Sequence, residues 1–379
     1  MYHSAALMLM NALLLFLVLN IVASIFLAVH RFLSSDNPVS EKYGEEMLHS
    51  VYPGLNDDEI HELLHETWSR PYVYEPFTQF RERTYHGKYV NVDANGFRNV
   101  KDQAAWPPPQ GEISVFVFGG STTFGYGVAD GQTIASHLQE RLRKSLGKPV
   151  NVYNFGRAFY FSTQERILFE SLLSSGNIPI LAIFIDGLND FYHYDGKPFF
   201  TERLGRYLDG ELPENSILAR LPVTKLTRSL VNEYREKNLE LSGGNGNIHY
   251  DDPNVLNGVI ARYAENKKIN EAVSAAYGVK SLFVWQPVPT FNYDDGYHPF
   301  KTRGYGRHLF SRYGYPLMKE YVSDNPMGKD FLWAADLQQD VHRPLYVDLV
   351  HYSGEFSGII ADYIAGYVVK NYFQTDHSH

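Results

Sequence analysis

The sequence predicts an α/β fold: a three-layer α/β/α sandwich on a parallel sheet, with a transmembrane helix ahead of it. Three observations carry this. Residues 5–29 are an uncharged apolar run. From about residue 111, short β-rich apolar runs alternate with helical patterns. Each of those runs empties into a loop of Gly, Asn or Ser. Strand and helix in alternation give a parallel sheet covered on both faces. In such sheets ligands bind beyond the carboxyl ends of the strands.

The apolar run holds 25 residues, among them Leu13, Leu14, Leu15, Phe16, Leu17, Val18 and Leu19. About 20 apolar residues span a bilayer, so an uncleaved single-pass anchor is expected. A signal peptide is the competing reading. It would have a shorter apolar region, Lys or Arg before it and a small-residue cleavage site after it. Here Met1-Tyr2-His3-Ser4 carries neither Lys nor Arg, and His30-Arg31-Phe32 follows the run. Arg31 is one vote for a cytoplasmic body by the positive-inside rule. A substrate in the cell envelope would instead place the body on the periplasmic or extracytoplasmic side.

Residues 35–53 read as a polar linker. Asn56-Asp57-Asp58 can cap a helix over 59–68. Within it, His61-Glu62-Leu63-Leu64-His65 matches the HExxH zinc-protease pattern, in which two histidines one turn apart share a metal. The context argues against that use. The helix is short, Ser69-Arg70-Pro71 breaks it, and no third ligand follows on a further helix. No metal is expected. Residues 72–92 look extended and hairpin-like. Asp93-Ala94-Asn95-Gly96-Phe97 signals a turn, and Pro107-Pro108-Pro109 gives a stiff lead-in to the core.

The first core strand, from residue 113, ends in Gly119-Gly120-Ser121. Ile134, Leu138, Leu142 and Leu146 then mark an amphipathic helix. A second strand over 150–153 ends in Asn154-Phe155-Gly156, with a helix over 163–173 behind it. A third strand over 180–185 ends in Asp186-Gly187-Leu188-Asn189-Asp190. Ser121, Gly156 and Asn189 all fall at strand ends, where they can converge. The pattern is less regular from residue 195 to about 254, and Ser242-Gly243-Gly244-Asn245-Gly246-Asn247 is a flexible loop. A long helix over 255–276 and a strand over 281–285 follow. Residues 290–315 are rich in aromatic and basic side chains, including Tyr293, Tyr297, His298, Arg307 and His308. They read equally as a lid suited to a sugar or an anionic acyl group and as a surface loop packed by its own rings.

Near the end of the chain, Asp348-Leu349-Val350-His351 sits on a loop before a last helix over 356–369. This spacing lets the carboxylate accept from one ring nitrogen. The other nitrogen is then free to take a proton from a serine hydroxyl. Each residue also has a structural use: Gly156 as a turn glycine, Asn189 as a cap, Asp348 as the N-cap of the last helix, His351 as a surface histidine. Asp340-Val341-His342 is a rival pair, but it precedes a proline instead of a helix. His298, His308 and Asp186 are further decoys.

Together Gly119-Gly120-Ser121, Asn154-Phe155-Gly156, Gly187-Leu188-Asn189-Asp190 and Asp348-Leu349-Val350-His351 resemble the four blocks of the SGNH (GDSL-type) hydrolase family, in its order. The resemblance covers about 111–195 and 275–372. It implies Ser121 as nucleophile, His351 as general base and then acid, and Asp348 as its orienter. It also implies an oxyanion hole of the Ser121 and Gly156 N–H groups with the Asn189 amide, and no cofactor. Gly120 departs from the aspartate of the family name, and His351 lies 162 positions after Asn189, farther than a compact member needs.

Composition narrows the alternatives. The chain has 379 residues, 44% hydrophobic, with net charge −9 and no basic run, which argues against nucleic acid as a partner. It has no cysteine, which excludes disulfides, thiol catalysis and cysteine-ligated zinc. The expected layout is an anchor at 5–29, a linker and extension at 30–110, and a hydrolase domain at 111–375. That domain would carry an insertion at 195–254 and a lid at 290–340. The expected function is a membrane-anchored serine esterase or acylhydrolase acting on a lipid or an O-acylated envelope glycan. The alternatives are a carbohydrate O-acyltransferase with the same triad and a non-catalytic subunit of a membrane complex.

Overall fold

The computed structural model describes residues 2–33, 44–209, 221–227, 230 and 249–373. They divide into two compact units. The first contains helix α1 (Tyr2–Leu33) and a short helix, Thr201–Leu208. The stretch Tyr2–Val29 of α1 is long and apolar enough to cross a membrane, and nearly all of its side chains are exposed. Most of the expected insertion, including the Ser242–Asn247 glycine loop, lies outside the described residues.

The second unit holds residues 44–199 and 249–373. It opens with helix α2 (Glu45–Val51), where the sequence suggests a linker; Leu48 and Val51 bury one face of it. Helix α3 (Asp57–Trp68) starts at a capping box, in which Asn56 Oδ1 accepts from the Glu59 N–H at 3.0 Å and Glu59 accepts from the Asn56 N–H at 3.1 Å. Its buried face is Ile60, Leu63 and Leu64. His65 is exposed and Glu62 pairs with Lys88 at 3.0 Å, so the HExxH residues sit on the outer surface. Among the described residues no three His, Asp or Glu side chains are grouped to hold a metal. Two antiparallel pairs follow, β1 (Val73–Glu75) with β2 (Gln79–Arg81) and β3 (Tyr85–His86) with β4 (Asn91–Val92), in the segment expected to be hairpin-like. Arg98 then bridges Val92 to Asn154, which ties this extension to the main sheet.

The main sheet has five parallel strands: β5 (Ile113–Gly119), β6 (Val150–Asn154), β7 (Leu181–Asp186), β8 (Lys280–Trp285) and β9 (Phe331–Trp333). Their order is β6-β5-β7-β8-β9. The chain therefore leaves β5 toward one side and returns on the other, so the switch point of the sheet is the end of β5. Alternation along the strands sorts the core into two faces. Val115, Val117, Ile183, Ile185, Leu282 and Val284 face helices α5 (Ile134–Leu146) and α10 (Gly354–Val368). The other face is a row of stacked rings: Phe155 on Phe118 at 5.7 Å, Phe118 on Phe184 at 4.9 Å and Phe184 on Phe283 at 5.2 Å. The register of the parallel ladder brings Phe118, Phe184 and Phe283 level. Helix α6 (Ser162–Ser174) covers this row with Phe169, and helix α8 (Pro253–Ala276) lays Lys267 over Phe283.

Residues 290–340 hold regular structure of their own. Short 3-10 turns lead to helix α9 (Leu309–Asp324), and β9 then completes the sheet beside β8. A three-residue strand is too short for its alternation to register in the sequence.

Glu66, at the end of α3, accepts backbone N–H bonds from Lys88 at 2.7 Å, Tyr89 at 2.8 Å and Val90 at 2.8 Å. This one carboxylate locks the helix to the second hairpin. Glu66→Ala leaves these donors unpaired and should lower the unfolding free energy by about 2–4 kcal/mol, read from the urea midpoint. An unchanged midpoint would show that the hairpin is held otherwise.

Candidate active site

The local turn after β5 decides where Ser121 points. Gly120 is the N-cap of the four-residue helix α4 (Ser121–Phe124), and Gly125, left-handed at φ +89°, ends it. Ser121 is thus the first helical residue, so its backbone N–H has no acceptor within the helix. Its side chain is half-buried. The glycine at 120 has a steric reason: a Cβ there would lie 2.3 Å from Asn189 Nδ2 and 3.3 Å from the Tyr160 carbonyl oxygen. The position therefore has no room for a side chain beside the Asn189 amide.

At the far end of the chain, the loop before α10 is pinned by the Val347 N–H, which donates to the His351 carbonyl at 2.9 Å. The N-cap of α10 is Ser353, accepting from Phe356 N–H at 3.2 Å, so Asp348 is not spent on capping. His351 Nδ1 lies 2.6 Å from Asp348 Oδ2, and His351 Nε2 lies 2.8 Å from Ser121 Oγ. Asp348 Oδ1 accepts from the N–H groups of Val350 and His351, each at 2.9 Å. Burial alone would raise the Asp348 carboxyl. The charge and hydrogen bond of His351 and the two backbone N–H groups outweigh it, and hold the group below the usual carboxylate range.

The rival residues do other things. His298 is buried, stacks on Tyr346 at 5.2 Å, and its Nε2 lies 3.1 Å from the Leu349 carbonyl, so it supports the loop that carries His351. His342 and Asp340 are exposed. Asp186 is buried beneath the sheet end.

The expected oxyanion donors divide. Asn189 is in the first turn of helix α7 (Leu188–Tyr192), and its Nδ2 donates to the Tyr160 carbonyl at 2.7 Å, which leaves one amide hydrogen. Gly156 is tightly packed. Its N–H donates to Asn154 Oδ1 at 3.0 Å, and a Cβ there would lie 2.3 Å from the Phe124 nitrogen. It is a packing glycine behind α4, and its N–H is taken. The accounting along this loop is informative. The N–H groups of Phe155, Arg157 and Tyr160 donate to the carbonyls of Val117, Gly119 and Arg157, and that of Ala158 donates to Glu82. From Phe155 to Tyr160, only the Phe159 N–H lacks an acceptor among the described residues. Phe159 also holds φ +58°, a conformation costly for an aromatic residue.

Several residues around this centre escape sequence reasoning. Tyr126 stacks on His351 at 5.5 Å and Trp68 meets its edge at 5.6 Å. Fully buried Arg98 donates to the carbonyls of Phe124 (3.0 Å) and Val128 (2.6 Å), and so holds the chain that follows Ser121. Trp68, Glu82 and Arg98 come from outside the span of the family resemblance and carry no motif. Tyr126 lies within the Ser121 turn itself, but nothing in its spacing shows that it faces a histidine 225 positions later. A cavity of about 720 Å³ lies between α2 and the Asp348 loop, lined by Val51, Tyr52, Val128, Arg343 and Val347. Ser121 and His351 do not line it.

No protein-family model and no curated protein matches this chain. Solved structures do. One is a carbohydrate acetylesterase family member from Sinorhizobium meliloti, 14% identical, covering 68% of this chain and 98% of its own, with a TM-score of 0.38. The acetyl xylan esterase AlAXEase is 13% identical, over 68% and 100% of the two chains, with a TM-score of 0.38. A member of the lipolytic G-D-S-L family from Veillonella parvula is 10% identical, over 70% and 100%, with a TM-score of 0.35.

Beneath α7 lies a buried acidic group. Asp190 ties two loops together: its Oδ1 accepts from the Ser162 hydroxyl at 2.5 Å and its Oδ2 from the Gly187 N–H at 3.2 Å. Burial pushes Glu165 and Asp186 well above the usual carboxyl range; the charges of Asp186 and Asp190 raise Glu165 further, and that of Asp190 raises Asp186 against the opposing hydrogen bond of Glu165. A raised folded value means stability that is complete below the ordinary carboxyl value near 4 and is lost as pH rises through the raised one. The urea midpoint should therefore fall as pH rises from about 4 toward neutrality, and Asp186→Asn should flatten that fall. An identical slope in the variant would contradict this.

Proposed function

We propose that this protein is a membrane-anchored serine esterase of the SGNH type, working through an acyl-enzyme. The observation that carries the reading is the hydrogen-bonded chain from Ser121 Oγ through His351 to Asp348, at the switch point of a parallel sheet. In this reading residues 5–29 anchor the chain and residues 111–375 carry the chemistry.

Ser121 Oγ attacks the ester carbonyl carbon while its proton passes to His351 Nε2. Asp348, held ionised, stabilises the imidazolium and fixes its tautomer through Nδ1–H. The carbonyl oxygen becomes an oxyanion held by the Ser121 N–H and the Asn189 amide. Each donor contributes about 3 kcal/mol to the transition state. Collapse breaks the bond to the alkoxide, which leaves as an alcohol with the proton from His351. Water then repeats the cycle on the acyl-serine, and the acid is released.

A lipid or an O-acylated envelope glycan at the periplasmic face suits an anchored enzyme. A second reading, acyl transfer to a carbohydrate hydroxyl, uses the same acyl-enzyme with a sugar in place of water. Aromatic and basic side chains clustered beside α7, the helix that carries Asn189, suit a sugar: Phe159 stacks on Phe199 at 4.0 Å, and the Arg307 guanidinium lies over the rings of Tyr192 at 6.0 Å and Tyr194 at 5.8 Å. Product analysis with and without a glycan acceptor separates the two.

With p-nitrophenyl acetate, His351→Ala and Asp348→Asn should each lower kcat by about 10⁴-fold. Asn189→Ala should lower it by about 10²–10³-fold. His342→Ala should match wild type. An inactive His342→Ala beside an active His351→Ala would overturn the assignment.

A further inference from the structure

We propose that Glu82, carried in by the N-terminal extension, is a positioning residue that sets both halves of the active site at once. The proposal rests on the serine-hydrolase reading above.

Glu82 is 1% exposed and lies just beyond β2. Its Oε1 accepts the Tyr126 hydroxyl at 3.0 Å and the Ala158 N–H at 3.3 Å. Its Oε2 lies 3.3 Å from Arg70 Nη1, and Arg70 is itself buried. Each partner leads to a different part of the chemistry. Tyr126 is the ring stacked on His351, with Trp68 packed edge-on against both rings. Ala158 is in the loop whose Tyr160 carbonyl holds the Asn189 amide, and it precedes Phe159. One carboxylate oxygen therefore joins the base side to the oxyanion side.

Arg70, ion-paired to the other oxygen of Glu82, is itself held in place. Its Nε donates to the Glu66 carbonyl at 2.7 Å and its Nη2 to the Thr67 carbonyl at 3.1 Å, and its guanidinium lies 4.8 Å above the Phe124 ring. A buried charge pair is seldom the best device for stability, since an apolar pair of similar size is often as stable or more so. It is well suited to fixing a geometry. Shifts of about 1 Å at a reacting centre cost about 10²-fold in rate.

The test compares two folded double variants with the full-length enzyme in detergent, using p-nitrophenyl acetate. Arg70→Met/Glu82→Leu replaces the pair with apolar side chains and deletes both bonds from Oε1. Arg70→Gln/Glu82→Gln removes both charges but keeps a carbonyl oxygen for Tyr126 and Ala158. The apolar pair should lower kcat by about 10²-fold with KM changed by less than about twofold, and the amide pair should recover most of that loss. Tyr126→Phe keeps the ring on His351 and loses only the hydroxyl; it should lower kcat by about tenfold. Equal kcat in the two double variants overturns the proposal. If the apolar pair does not fold, a Tyr126→Phe enzyme with wild-type kcat overturns it. An inert wild type overturns the serine-hydrolase reading and this assignment together, whereas an active wild type with unaffected variants overturns this assignment alone.

Discussion

A carboxylate out of contact with water must be fully satisfied, and Asp348 is the place where this protein meets that demand. Its two oxygens accept from one ring nitrogen and two backbone N–H groups. Those bonds keep the buried acid ionised, and an ionised acid at Nδ1 leaves the basic lone pair of His351 at Nε2, toward Ser121. If the loop 347–351 relaxed, the tautomer, the ring orientation and the reach to Ser121 would go together. The surrounding structure guards it. Ser353 relieves Asp348 of capping, His298 holds the Leu349 carbonyl, and Tyr126 and Trp68 confine the ring.

The sheet supplies the other half. β5 lies between β6 and β7, and its end is where successive connections diverge, so a residue placed there has open space above it. The stacked phenylalanines on one face and the aliphatic cluster on the other hold β5 at fixed height relative to β7, whose exit turn carries Asn189. Ser121 and Asn189 are thus set by the same packing. The extension then closes the site from the side of β6, through Arg98 on the turn after α4 and Glu82 on the loop after β6.

What was legible in the sequence was what obeys a local rule. The apolar run of β5, the spacing of Ile134, Leu138, Leu142 and Leu146 in α5, and the strand ends at Gly119, Asn154 and Asp186 follow from period and turn chemistry. Ser121, Asn189, Asp348 and His351 stand out as candidates because four short blocks come in order. Gly156 is ambiguous in the sequence for a physical reason. A glycine after a strand is needed either for an N–H facing a ligand or for close packing, and only the distance to the Phe124 nitrogen separates these uses. Glu82 and Trp68 were invisible because their partners are long-range, and no spacing in a single chain encodes that Tyr126 will stack on a histidine brought back by the last helix. β9 and α2 were missed because each is too short for a period to show.

Catalysis by this site requires Ser121 to be an activated nucleophile. Labelling with a fluorophosphonate probe tests this most directly, since only a serine deprotonated by its base and served by an oxyanion hole reacts. The geometry predicts stoichiometric labelling of the wild type at Ser121 and none of Ser121→Ala. A well-folded wild type that takes no label, or a Ser121→Ala variant that still does, would contradict it.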